Sequence, residues 1–170
     1  MTQIVLATTD EQLDSVRGLL RAFVTWHRRR HAEVLPLIDG DSDAEAFEVE
    51  LAGLPGPYAP PQGALLLALA EGEVAGCVAM RRIDATACEM KRLFVEPRFH
   101  GLGVGRALAE AVVHAGAQAG YRVMRLDTSV RQTEALSLYE HLGFRRIEPY
   151  YEIAPELRGW LVFLERDLRG

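Results

Sequence analysis

The stretch Arg98-Phe99-His100-Gly101-Leu102-Gly103-Val104-Gly105-Arg106 lies between an apolar run and an amphipathic pattern, and its residue types suit the holding of an anion. Glycines let successive backbone N–H groups close on a ligand, and a helix starting behind them aims the positive end of its dipole at the same point. A pyrophosphate fits such a turn. Spacing separates the candidates. An ATP-binding loop needs GxxxxGK[ST], and no Lys-Ser or Lys-Thr follows these glycines. A dinucleotide fingerprint is GxGxxG on the first strand of a βαβ unit, with an acid about 20 residues on. Here the pattern is GxGxG on a late strand, and Asp127 at the next strand end keeps the dinucleotide reading in play.

Metal chemistry has a weaker footing. His27 and His31 share a helix face, yet no HExxH glutamate and no third ligand accompanies them, so they read as a solvated helix end. Cys77 and Cys88 form no CxxC and read as buried thiols of a reducing cytoplasm. No metal is expected.

The elements that position the glycine turn follow from periodicity. Gln3 to Ala7 reads as a strand, and Leu13, Val16, Leu20, Phe23 and Val24 recur at helix spacing from Asp10 to about Arg29. Asp39 to Ala52 is a second helical stretch, ended by the proline-rich loop from Gly53 to Pro61. Ala64 to Ala70 and Val74 to Arg82 form a hairpin about Glu71-Gly72-Glu73, and Thr86 to Val95 is a third strand stopped by Pro97. The glycine turn then opens a helix with Val104, Ala107, Leu108, Ala111, Val112, Ala115 and Ala119 on one stripe. Strands at Val123 to Thr128, Phe144 to Ile147 and Trp160 to Glu165 follow, with a short helix from Gln132 to His141 that Gly143 caps. The order predicts an α/β (α+β) fold with a mixed sheet, in one domain over residues 1–170.

Composition narrows the function. A net charge of -5 argues against nucleic acid, whose phosphates call for a basic surface, and suits cationic acceptors. The apolar run Ala64 to Ala70 is far short of the roughly 20 residues that cross a bilayer. The residues after Met1 show no basic region followed by a long apolar stretch, so a secretory signal is not expected. A cytoplasmic location is the expectation.

Two segments carry a family resemblance. Arg98-x-x-Gly101-x-Gly103 resembles the RxxGxG signature of the GNAT superfamily of N-acetyltransferases, and Leu93-Phe94-Val95-Glu96-Pro97 resembles the strand end that precedes it there. Ala135-Leu136-Ser137-Leu138-Tyr139-Glu140-His141-Leu142-Gly143-Phe144 is similar to the superfamily's AxxLYxxxGF segment. The resemblance covers about Gly63 to Tyr151 and implies a central, mostly antiparallel mixed sheet flanked by helices. It also implies acetyl-CoA as acetyl donor and an amine acceptor, on a small molecule, an amino acid or a protein. The roles it implies place the pyrophosphate on Arg98, Phe99, His100, Gly101, Leu102, Gly103, Val104, Gly105 and Arg106. Leu93, Phe94 and Val95 pair with the pantetheine arm, and Tyr139 faces the thioester sulfur. Family members often form dimers, which makes a homodimer an expectation. Many relatives carry Asn where this chain has Gln132, which leaves that cofactor contact open; Thr128, Ser129 and Thr133 supply hydroxyls nearby.

Transfer to an amine needs a proton acceptor, because an alkyl amine of pKa about 10.4 holds its proton at pH 7 by about 4.6 kcal/mol. By resemblance Glu89 occupies the general-base position, directly or through water; the other reading is an ion pair with Lys91, two residues on and on the same strand face. Tyr139 is the candidate acid for the departing thiolate, against a plain core role. Backbone N–H groups at Phe94 or Val95 suit the developing oxyanion. Neither cysteine has an obvious activating partner, and Glu89 beside Cys88 would raise that thiol's pKa, so transfer is expected to be direct. Arg28 to Arg30 suit either an anion or a helix C-terminus. Trp26, Tyr58, Tyr150 and Tyr151 are candidates to line or close the acceptor pocket. The rival function is a non-catalytic acyl-CoA-binding sensor module.

Overall fold

Thr9 and Gln12 start the first helix with a reciprocal cap: the Gln12 N–H donates to Thr9 Oγ1 at 3.1 Å and the Thr9 N–H to Gln12 Oε1 at 3.1 Å. Helix α1 then runs Asp10–Arg30, with Asp10 and Glu11 favourably placed in its first turn. The computed structural model describes residues 1–30 and 44–169; His31 and the Asp39 end of the expected second helix lie outside the described residues. Helix α2 is Ala44–Ala52. The proline-rich loop after it holds a 3-10 turn at Gly56–Tyr58.

Seven strands form one sheet in the order β1-β2-β3-β4-β5-β7-β6. They are β1 Thr2–Leu6, β2 Ala64–Ala70, β3 Glu73–Arg82, β4 Ala87–Val95, β5 Val123–Ser129, β6 Arg145–Ile147 and β7 Leu161–Asp167. Every pairing is antiparallel except β4 with β5. The mostly antiparallel mixed sheet expected from the resemblance is therefore present. Helix α3, Val104–Gln118, links β4 to β5, and helix α4, Thr133–His141, follows β5.

The run Ala64 to Ala70 has no polar residue because both faces of β2 are covered. Ala64, Leu66, Ala68 and Ala70 join one core with Leu108 and Val112 of α3 and Leu136 and Tyr139 of α4. Leu65 and Leu67 join the other, with Val16, Leu19 and Leu20 of α1 and Leu51 of α2. Cys77 and Cys88 are buried, and burial pushes each thiol up to about 12. For Cys88 the cause is burial, not the neighbouring Glu89 that the sequence suggested, because alternation sends adjacent side chains to opposite faces. Among the described residues no helix is long and apolar enough to cross a membrane.

Candidate active site

Strands β4 and β5 stay hydrogen-bonded for only three residue pairs, Ala87 with Val123, Cys88 with Met124 and Glu89 with Arg125. Beyond them the strands part, and a local device on β4 causes it. Between the pairs Cys77↔Phe94 and Ala79↔Lys91, β3 advances two residues and β4 three, which defines a bulge on β4. Arg92 sits in it with φ of 62°, a left-handed conformation that costs a side-chain-bearing residue about 1–2 kcal/mol.

An ion pair holds that residue in place. Arg92 Nε and Nη2 donate to the two carboxylate oxygens of Glu50 on α2, at 3.0 and 2.8 Å, and the Tyr58 hydroxyl donates to Glu50 Oε2 at 3.2 Å. Burial would raise the Glu50 pKa, but the hydrogen bonds and charge of Arg92 outweigh it and hold the carboxyl below its ordinary value. Tyr58 is buried, its phenol pushed up to about 12 mainly by burial. It is thus a core and clamp residue rather than the lid over an acceptor pocket that its loop position suggested.

The parted strands open a cavity of about 480 Å³. At one end lie Leu93, Phe94 and Val95 of β4 with Phe99, His100, Gly101, Gly103, Val104 and Gly105 of the glycine turn. Gly101 and Gly103 have φ of 80° and 82°, and a Cβ on either would meet nothing within 4 Å, so the space above the turn is open and the backbone conformation is what requires glycine. Gly103 is the N-cap of α3. The Glu96 N–H donates to Ala75 O at 2.9 Å across the sheet, so by strand alternation the Val95 peptide groups face the opposite way, into the cavity. His100 Nε2 lies 2.9 Å from Val95 O there, and the His100 ring stands edge-on to Trp26. Phe23 and Trp26 of α1 pack on Phe94 and complete an aromatic wall.

Three residues of the expected cofactor set do not line the cavity: Arg98, Leu102 and Arg106. Arg98 lies over the Phe99 ring, with its guanidinium 3.3 Å from both Glu73 and Glu96. Arg106 pairs with Glu110 one turn along α3. Leu102 is 65% exposed. Gln132, Thr128 and Ser129 do line the cavity, and Thr133 does not.

The other end is built from charged and phenolic side chains. Asp127 of β5, Lys91 of β4 and Tyr139 of α4 all border the cavity. Burial raises the Asp127 carboxyl above its ordinary range, opposed by the hydrogen bond from Tyr151, whose hydroxyl donates to Oδ2 at 2.8 Å. Burial lowers Lys91, opposed by the negative charges of Glu89 and Asp127. Tyr139 is pushed up by burial and then by Asp127, so its phenol keeps its proton at neutral pH; among the described residues no side chain or backbone group bonds its hydroxyl.

Glu89 is 2% exposed and does not border the cavity. Arg81 Nε donates to its Oε1 at 2.8 Å and the Tyr150 hydroxyl to its Oε2 at 2.6 Å. The ion-pair partner expected for it, Lys91, is thus replaced by Arg81. Glu89 belongs to a row of alternating charge across five strands: Arg81, Glu89, Arg125, Glu165 and Arg145 are successive cross-strand partners. Arg125 and Arg145 meet Glu165 at 2.8 and 3.4 Å. Tyr150 and Tyr151, candidates for lining the pocket, instead pack on Phe163 and reach the two carboxylates through their hydroxyls. In the sequence Asp127 stands out only as an acid at a strand end, of the kind a dinucleotide site uses; its place opposite Lys91 depends on the parting of two strands, which no local pattern announces.

The family described as Acetyltransferase (GNAT) family matches residues 20–144. An "uncharacterized N-acetyltransferase" of Schizosaccharomyces pombe is 40% identical over 60% of this chain, and the match spans 64% of that protein's length. A GNAT-family acetyltransferase from Staphylococcus aureus Mu50 superposes with a TM-score of 0.75 at 16% identity over 99% of both chains. A GNAT family acetyltransferase from Elizabethkingia anophelis, solved with acetyl-CoA bound, superposes with a TM-score of 0.56 at 23% identity, over 74% of this chain and 83% of the other.

Proposed function

The chain belongs to the acetyltransferase (GNAT) family, an N-acetyltransferase drawing on acetyl-CoA, and from that premise we propose that it acetylates a primary amine by direct transfer in a ternary complex. The observation that carries the reading is one cavity with an open anion cradle at one end and a half-buried carboxylate and a buried phenol at the other. The rival reading, a non-catalytic acyl-CoA-binding module, has no support among the matched proteins.

The donor fits what the cavity offers. Gly101, Gly103 and the start of α3 suit the pyrophosphate through backbone N–H groups and the helix dipole. The outward-facing peptide groups at Val95, with Leu93 and Phe94 beside it, suit the amide-bearing arm. Bound acetyl-CoA supplies an acyl carbon open to attack and a thiolate leaving group. His100 contributes through Val95 O and the aromatic wall, and Phe99 and Val104 through packing, whereas Arg98, Leu102 and Arg106 do not line the cavity.

Asp127 accepts the ammonium proton, directly or through a water. Its burial-raised pKa brings it closer to the amine's and makes it a better base than an exposed carboxylate. The amine loses its second proton as the amide forms, Tyr139 places one on the departing sulfur, and the net reaction releases one. The Val95 N–H faces the negative charge that builds on the acyl oxygen. Glu89, the base the resemblance implied, does not border the cavity and is engaged by Tyr150 and Arg81, which supports a positioning role for it.

One domain over residues 1–170, a cytoplasmic location and a homodimer belong to the same proposal, the last two read by cell fractionation and light scattering. Calorimetry with acetyl-CoA, with ATP and NAD as controls, followed by free-thiol release over a panel of amines, tests the function. Saturable acetyl-CoA binding with amine-dependent thiol release is the expected result; binding without turnover would overturn the transferase assignment.

A further inference from the structure

The Asp, Glu, Lys and Arg residues that border the cavity are Lys91, Arg92, Asp127 and Glu134; Arg92 is committed to Glu50, Asp127 accepts the Tyr151 hydroxyl, and Glu134 has its own interaction in the first turn of α4. Lys91 differs. It borders the cavity half-buried, and among the described residues it makes neither an ion pair nor a hydrogen bond. A partly desolvated ammonium that makes no direct hydrogen bond or ion pair gains from a ligand that supplies one. Its side chain shares a strand face with Glu89, but Arg81 and Tyr150 already engage that carboxylate. Lys91 and Asp127 are close enough for each to favour the other's charged form. A cation of β4 and an anion of β5 thus both border the one cavity.

We infer that the acceptor is an α-amino acid, whose carboxylate Lys91 holds while Asp127 faces its ammonium group. This rests on the cavity being the site of acetyl transfer. The pairing follows from chemistry: an α-amino acid carries opposite charges one carbon apart, and only one of its two orientations matches Lys91 and Asp127. A simple alkylamine brings no carboxylate to meet the Lys91 ammonium. The orientation also directs the nitrogen to the residue proposed to deprotonate it.

The test pairs each amino acid with the amine left when its carboxyl group is removed: L-glutamate with 4-aminobutyrate, L-phenylalanine with phenethylamine and L-lysine with cadaverine. For the best acceptor, kcat/KM is expected to exceed that of its decarboxylated partner by about 10- to 100-fold, the range of a charge-assisted contact. Lys91→Met should bring this ratio close to one, and Lys91→Arg, which keeps the cation, should retain most of it. A wild-type ratio near one, or a Lys91→Met loss equal for both members of the pair, would overturn the inference. Calorimetric binding of the same pairs to protein saturated with CoA gives a readout without turnover. Amino-acid binding at least 10-fold weaker in Lys91→Met supports the anchor even if transfer fails and the transferase reading falls; equal binding removes it.

Discussion

The two ends of the cavity are built from different material. The donor end is backbone: Gly101 and Gly103 at positive φ, the start of α3, and the peptide groups of Val95. The acceptor end is side chain: Lys91, Asp127 and Tyr139, with Tyr150, Tyr151 and Glu89 behind them. A backbone site recognises a part common to every donor and tolerates changes of side chain, as Arg98 and Arg106, turned aside to Glu73, Glu96 and Glu110, illustrate. A side-chain site can be rewritten residue by residue. One stretch of β4 joins the two: its pairing with β5 stops at Glu89, and the bulge at Arg92 follows, leaving both a free edge and the gap in which Asp127 is reached.

Substitutions should separate the ends by what they change. The largest effect is expected at the acceptor end, where Asp127→Asn should lower kcat by about 10²- to 10⁴-fold with acetyl-CoA affinity by calorimetry unchanged. Glu89→Gln should cost less than Asp127→Asn; the reverse order would return the base role to Glu89. The wild-type rate should rise with pH through the raised Asp127 pKa, since the carboxylate must be ionised to accept a proton, and Asp127→Asn should lose that limb. Tyr139→Phe, also at the acceptor end, should lower kcat by roughly 10- to 10³-fold, again with donor binding kept.

At the donor end the pattern should invert. Gly103→Ala places a side chain at φ of 82°, a strain of about 1–2 kcal/mol, and should raise KM for acetyl-CoA roughly 10-fold with kcat little changed. If kcat falls instead, the distinction between the ends fails. The smallest effect is expected at the bulge, where Glu50→Gln should cost about 1–2 kcal/mol in chemical denaturation, less than for a fully buried pair because each side chain keeps 24% exposure. The folded-state pKa of Glu50 is depressed, so this stability is present above its ordinary value of 4.5 and lost as pH falls through the folded value. The acid loss should be shallower in Glu50→Gln.

What the sequence made legible follows the same division. The glycine spacing, the helix stripe from Val104 and the apolar β2 run are local patterns, and each marks its element within a residue or two. Tyr139 was readable because the segment around it is a contiguous motif. Asp127, Lys91 and the tyrosines come together only when β4 and β5 lie side by side and then part, and the residue responsible, Arg92, has no turn-forming identity to advertise a positive φ. Glu89 was readable as a chemically apt residue at an apt strand position, but its partners, Arg81 and Tyr150, come from β3 and from the segment after β6.

The most direct measurement is acceptor-dependent thiol release from acetyl-CoA, followed in parallel for the wild-type protein and Asp127→Asn at matched, saturating donor. The account predicts turnover that requires the amine in the wild type and a loss of at least about 10²-fold in the variant, with both proteins binding acetyl-CoA equally. Thiol release independent of any amine, or full activity in Asp127→Asn, would contradict it.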